Sequence, residues 1–126
     1  MRLGHLLTTS AMLEMVTGIG LLLFPDVIAT LLFSQDLYGA GVVIGRVAGF
    51  ALIALGWVFW NARNAEGMYS ISTAMFGYNG VVALYLATVG IADGLTGILL
   101  WPAVAIHTAL ALACAQLWFK RQLDSQ

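Results

Sequence analysis

Four side chains sit where so apolar a chain has least reason to carry them: Glu14, Arg46, Asn79 and His107. Each lies well inside its own long apolar stretch. A carboxylate and a guanidinium together make an ion pair, and an amide and an imidazole can satisfy the donors and acceptors left over. A glutamate beside a cation can also exchange a proton for a substrate charge, and histidine titrates near neutral pH. Placing Arg46 alone at a helix centre in a bilayer would cost about 2.5–3.5 kcal/mol on insertion scales. Its expected partner is therefore Glu14. Two roles suit such a cluster. It can be structural, fixing packing and register as buried ion pairs do, or it can be a ligand-binding site, as intramembrane ionisable groups commonly are.

The elements that position these residues follow from composition. Of 126 residues, 61% are hydrophobic and 9% charged, against about 25% charged in ordinary globular chains. A bilayer core about 30 Å thick needs about 20 apolar residues per crossing, and four such segments nearly exhaust the chain. The expected fold is all-α: a polytopic membrane four-helix bundle forming one domain over 1–126, with helices over about 6–24, 39–62, 69–90 and 98–119. Pro25-Asp26 closes the first helix. Residues 27–33 are too few to span and read as an interfacial piece or a kinked continuation, while Pro102 is either a first-turn proline or a kink. The first helix reads as retained rather than cleaved, since Glu14 interrupts it and no small-residue cleavage site precedes Pro25.

Charge at the segment ends sets an expected orientation. Arg2, Arg63, Lys120 and Arg121 mark one side, whereas Asp26, Asp36 and Asp93 mark the other, without lysine or arginine. By the positive-inside rule both termini are cytoplasmic, in an inner membrane of bacterial type. Trp57, Trp60, Tyr69 and Trp118 fall at the expected inner edge, Tyr38 and Trp101 at the outer one.

At 1.5 Å per residue, Glu14 lies roughly 12 Å from the inner side and Arg46 roughly 10 Å from the outer, with Asn79 and His107 near the midplane. All four fit a slab some 7–8 Å thick by the same rise. Helical phase places small or polar neighbours beside each one. Ser10, Glu14, Thr17 and Gly18 share a stripe, as do Ser72, Asn79 and Ala83, and Ala103, His107, Ala111 and Cys114. On the second helix Gly41, Gly45, Ala48 and Gly56 form a small-residue packing stripe, with Gly49 between it and Arg46. Met12, Ile19, Leu23, Ile44, Ala51 and Val58 should face lipid. Tyr78 and Tyr85, seven apart, read as packing, Cys114 as a small hydrophobe, and His5 as interfacial.

These features exclude some functions and leave others open. A net charge of -1 gives no footprint for nucleic acid. The single cysteine forbids an intrachain disulfide, no metal-ligand spacing is present, and no catalytic constellation stands out. No internal repeat suggests inverted-repeat transport. The near absence of loops points to an accessory or structural subunit of a larger membrane complex, partnered by the bilayer, by other membrane subunits or by itself. The alternative is a proton-coupled carrier or a quinone-like small-molecule binder built on the polar cluster. A haem anchored by His107 would need a second ligand, and the chain's other histidine is His5.

Two resemblances bear on this. Leu13-Glu14-Met15-Val16-Thr17-Gly18 resembles the glutamate segment of the small multidrug resistance transporters, which would imply cation exchange at Glu14. Arg46 would compete there with a cationic substrate, and the glycine/tryptophan pattern of that family's third helix is missing. The layout as a whole resembles the DoxX-like small four-helix membrane proteins. That likeness is carried by Leu23-Phe24-Pro25-Asp26, Gly45-Arg46-Val47-Ala48-Gly49 and Leu55-Gly56 running to Ala62-Arg63, and it implies a partner in membrane redox or sulfur metabolism.

Overall fold

The computed structural model describes residues 3–64 and 68–124, without the side chain of Tyr69. Five helices follow one another: α1 (Leu3–Leu23), α2 (Pro25–Phe33), α3 (Ala40–Ala62), α4 (Met68–Ala92) and α5 (Leu100–Asp124), and no strand occurs among the described residues. α1, α3, α4 and α5 are each long and apolar enough to cross a membrane, as in a multi-pass membrane protein. Arg2 and the side chain of Tyr69 lie outside the described residues.

The break between α1 and α2 is local chemistry. Proline disfavours a helical residue before it, and Phe24 accordingly takes φ -136° and ψ 60°. Pro25 then opens α2, where its missing N–H costs nothing. α2 stops at Ser34, whose φ of 53° is left-handed and whose N–H closes on Thr30 O at 2.9 Å. The segment 27–33 is thus a separate short helix. Pro102 falls in the first turn of α5, so it starts that helix and does not kink it.

The long helices associate as two pairs, α1 with α3 and α4 with α5, and the pairs touch each other far less than their members do. Glycine explains the first pair. A Cβ on Gly49 would lie 2.7 Å from the Gly18 carbonyl oxygen, so only glycine allows these backbones to meet. The small-residue face predicted for α3 is therefore real, but its contact line runs through Gly45, Gly49 and Gly56. Gly41 and Ala48 are half-buried beside it.

Packing is uneven along the bundle. At the end holding both termini, Leu3, Leu6, Leu7 and Ala11 of α1 meet Phe59 and Ala62 of α3, Met75 of α4, and Leu110 and Cys114 of α5. His5, Arg63, Lys120 and Arg121 gather around a hollow at that same end. Towards the other end the pairs separate, and a cavity opens between them. α2 crosses above it and is tied to the loop before α5. Gly97 N–H donates to Leu32 O, Leu99 N–H to Leu31 O, and the Ser34 hydroxyl to Thr96 O, all at 2.8 Å. The residues expected to face lipid do point outward, Met12, Ile19, Leu23, Ile44 and Val58 among them.

Candidate functional site

The boundary between the packed end and the cavity is a polar floor. It forms where α1, α4 and α5 each pass from core to cavity: Ala11 to Leu13 and Glu14, Met75 to Tyr78 and Asn79, Leu110 to His107. Glu14 is 2% exposed and Asn79 0%. Tyr78 and His107 are half-buried, and with Glu14 they line a cavity of ≈ 320 Å³. Its walls are aliphatic, with Leu21, Leu52, Val82 and Leu86 around it and Ile28 and Leu32 of α2 above.

The floor is a connected chain of contacts. The Tyr78 hydroxyl donates to Glu14 Oε2 at 3.0 Å, bridging α1 to α4. Edge-on to it stands the His107 ring, with centroids 6.0 Å apart and planes at 79°. His107 Nδ1 lies 2.7 Å from Asn79 Oδ1, bridging α4 to α5. Asn79 Nδ2 donates to Met75 O at 2.9 Å, which anchors the amide to its own helix. Two buried oxygens are left over: among the described residues Glu14 Oε1 has no hydrogen-bond partner, and Ser10 Oγ one turn below shares that condition. A buried polar atom left unsatisfied costs about 1–3 kcal/mol.

In its relation to known proteins the chain stands apart. No family model matches it, and no curated protein or solved structure matches it at a significant level.

Three of the four expected cluster residues, Glu14, Asn79 and His107, do come together. Arg46 does not. It is exposed on α3, and Glu14 takes its hydrogen bond from Tyr78 instead. The glycine contact is the reason. Where Gly18 and Gly49 bring α1 and α3 together, no space for a guanidinium remains between them. A helical side chain also leans toward its helix N-terminus, which for Arg46 is the end at Ala40. From about 9 Å below that end, it can extend its charge toward the membrane surface along an apolar stem.

Tyr78, expected as packing, is the residue that sequence reasoning missed. A signal was present: it adjoins Asn79, at the depth of Glu14, with a phenolic hydroxyl that needs a partner when buried. Tyr85, one heptad on and likewise expected as packing, is instead 67% exposed on the helix surface. Cys114 is buried in the core and His5 is exposed, as expected. Among the described residues no three His, Cys, Asp or Glu side chains gather as metal donors.

Proposed function

We propose that this protein is a multi-pass membrane protein that holds a small amphiphilic molecule in the cavity between its helix pairs. The observation that carries this reading is Glu14 Oε1, a buried oxygen unpartnered among the described residues, on a side chain that lines a largely aliphatic cavity together with Thr17, Tyr78 and His107. Ligand sites are characteristically apolar hollows with a few convergent polar groups. A purely structural cluster would be expected to satisfy its own atoms, as Asn79 does. The proposed setting is an inner membrane of bacterial type with both termini in the cytoplasm. The gathering of Arg63, Lys120 and Arg121 at the terminal end supports that orientation.

Native mass spectrometry of protein extracted from its own membrane in mild detergent tests the proposal. A small molecule bound one-to-one in the wild type, and missing from a folded Leu86→Phe variant with a filled cavity, is the expected result. Identical spectra, neither holding such a mass, would overturn it.

A second reading has one observation of its own. Arg46 stands exposed on an apolar face beside Val43, Val47 and Phe50. A partner subunit carrying a carboxylate at that depth would account for the arginine and make this chain an accessory subunit of a larger complex. Crosslinking from position 47 in native membranes distinguishes the cases: an adduct with another protein supports the complex, and lipid adducts alone refute it.

A further inference from the structure

Hydrogen-bond directions in the polar floor can be assigned atom by atom. Asn79 must turn its NH₂ toward Met75 O, because the reverse orientation would set two oxygens against each other. That leaves Oδ1 facing His107 Nδ1 at 2.7 Å. A carbonyl oxygen can only accept, so the hydrogen in this contact belongs to the histidine. The neutral ring is therefore the Nδ1–H tautomer. Its Nε2 is a bare acceptor, with no hydrogen bond to any described residue.

Glu14 presents the complementary requirement. Oε2 is committed to Tyr78, while Oε1 has no partner. As a carboxylate Oε1 accepts, and as an acid it donates. The terminal torsion of glutamate is broad, so the carboxyl can turn one oxygen to the cavity and keep the other on Tyr78. Both needs fall on residues flanking the Tyr78 ring in one cavity.

Resting on the ligand-binding reading, we infer that the occupant is a neutral, hydroxyl-bearing amphiphile of the phenol class. Its O–H donates to His107 Nε2, its oxygen accepts from the Glu14 carboxyl in its acid form, and its apolar body lies along Leu21, Val82 and Leu86. A hydroxyl offers one donor and two acceptor positions, which makes it the smallest group that serves both residues. A ketone or an ether brings no donor, so Nε2 would stay bare. A carboxylate would set a second acid beside Glu14. An ammonium could serve both acceptors, but only with its charge desolvated among aliphatic walls.

The experiment is a binding titration of the full chain in lipid nanodiscs, corrected for partitioning into empty discs. Its probes are 4-octylphenol and 4-octylanisole, which differ by an O-methyl group that removes the donor, together with decylamine. The phenol is expected to bind about tenfold tighter than the anisole, the difference one hydrogen bond supplies at a desolvated site. His107→Phe, which loses Nε2, should erase that preference, so that the phenol binds the variant no tighter than the anisole does. Equal binding of phenol and anisole to the wild type overturns the donor assignment and leaves the cavity reading intact. Tighter binding of decylamine than of the phenol overturns the neutral class. Saturable binding of none of the three overturns the cavity reading together with this inference. The wild-type comparison needs no variant to fold.

Discussion

The hydroxyl of Tyr78 donates to Glu14 Oε2 at 3.0 Å, and that bond joins one helix pair to the other. The α1/α3 pair is held by backbone contact at glycines and the α4/α5 pair by side chains, with comparatively little between them. A single phenol therefore supports both the carboxyl and the junction.

Tyr78→Phe removes the donor and leaves Glu14 buried with neither oxygen partnered. The expected loss is about 1–3 kcal/mol. In a double-mutant cycle with Glu14→Leu, the two losses should fall short of additivity by roughly 1 kcal/mol. Unfolding followed by circular dichroism in one detergent measures both, and strict additivity would mean the bond carries no coupling.

Arg46→Leu should leave stability within about 0.5 kcal/mol of wild type, or raise it. Removing one partner of a buried ion pair costs about 3–5 kcal/mol instead. A loss of that size in the purified chain would show that Arg46 pairs with a carboxylate of this same protein.

Gly49→Ala sets a Cβ against the Gly18 carbonyl oxygen and the backbone of Leu22. Forcing these helices apart should cost about 1–3 kcal/mol. Gly77, where an added Cβ would meet nothing within 4 Å, is the control. Gly77→Ala should gain roughly 0.5–1 kcal/mol from helix propensity. Equal effects at both sites would remove close packing as the explanation.

Asn79→Leu deletes the acceptor that holds the hydrogen on His107 Nδ1. Nitrogen NMR of labelled histidine should show one Nδ1–H tautomer in the wild type and a mixture in the variant. An Nε2–H tautomer in the wild type would contradict the assigned floor.

Outside the spanning segments, Tyr38 donates to Asp36 Oδ2 at 2.9 Å, and this bond, with the carboxylate charge beside it, raises the tyrosine's ionisation above its usual range. A raised folded value means that any stability it lends is complete below the unfolded pKa of about 10 and fades as pH climbs through the folded one. Absorbance titration of Tyr38 should show ionisation falling back toward the ordinary range in Asp36→Asn. An unchanged titration would dissociate the two side chains.

Much of this arrangement was legible from residue order. Helical phase alone put Glu14, Asn79 and His107 inward, and Met12, Ile44 and Val58 outward, because a lipid-facing surface admits few polar groups. Depth counting placed the three inward residues in one layer, since rise per residue is nearly constant. Depth could not say which residues pair across helices. Arg46 shares neither the direction nor the layer: Gly49 meets Gly18 and Leu22 while Gly56 meets Ala11 and Met15, a register that sets Arg46 about two helical turns from Glu14 and that no charge pattern encodes. Tyr78 was hidden by its own chemistry, an apolar ring whose one polar atom decides its role. The tie between α2 and residues 97–99 runs through backbone groups, to which the sequence pattern is indifferent, and the Ser34 hydroxyl adds its bond to Thr96 O.

Because the pairs are contiguous in the chain, the floor is divided between them. Glu14 belongs to one pair, while Tyr78, Asn79 and His107 belong to the other. Neither half contains the site, which exists only where the two pairs meet. A change in bilayer thickness that slid one pair past the other would therefore act on the Glu14–Tyr78 bond among the floor's contacts, and leave those joining Tyr78, His107, Asn79 and Met75 intact within their own pair.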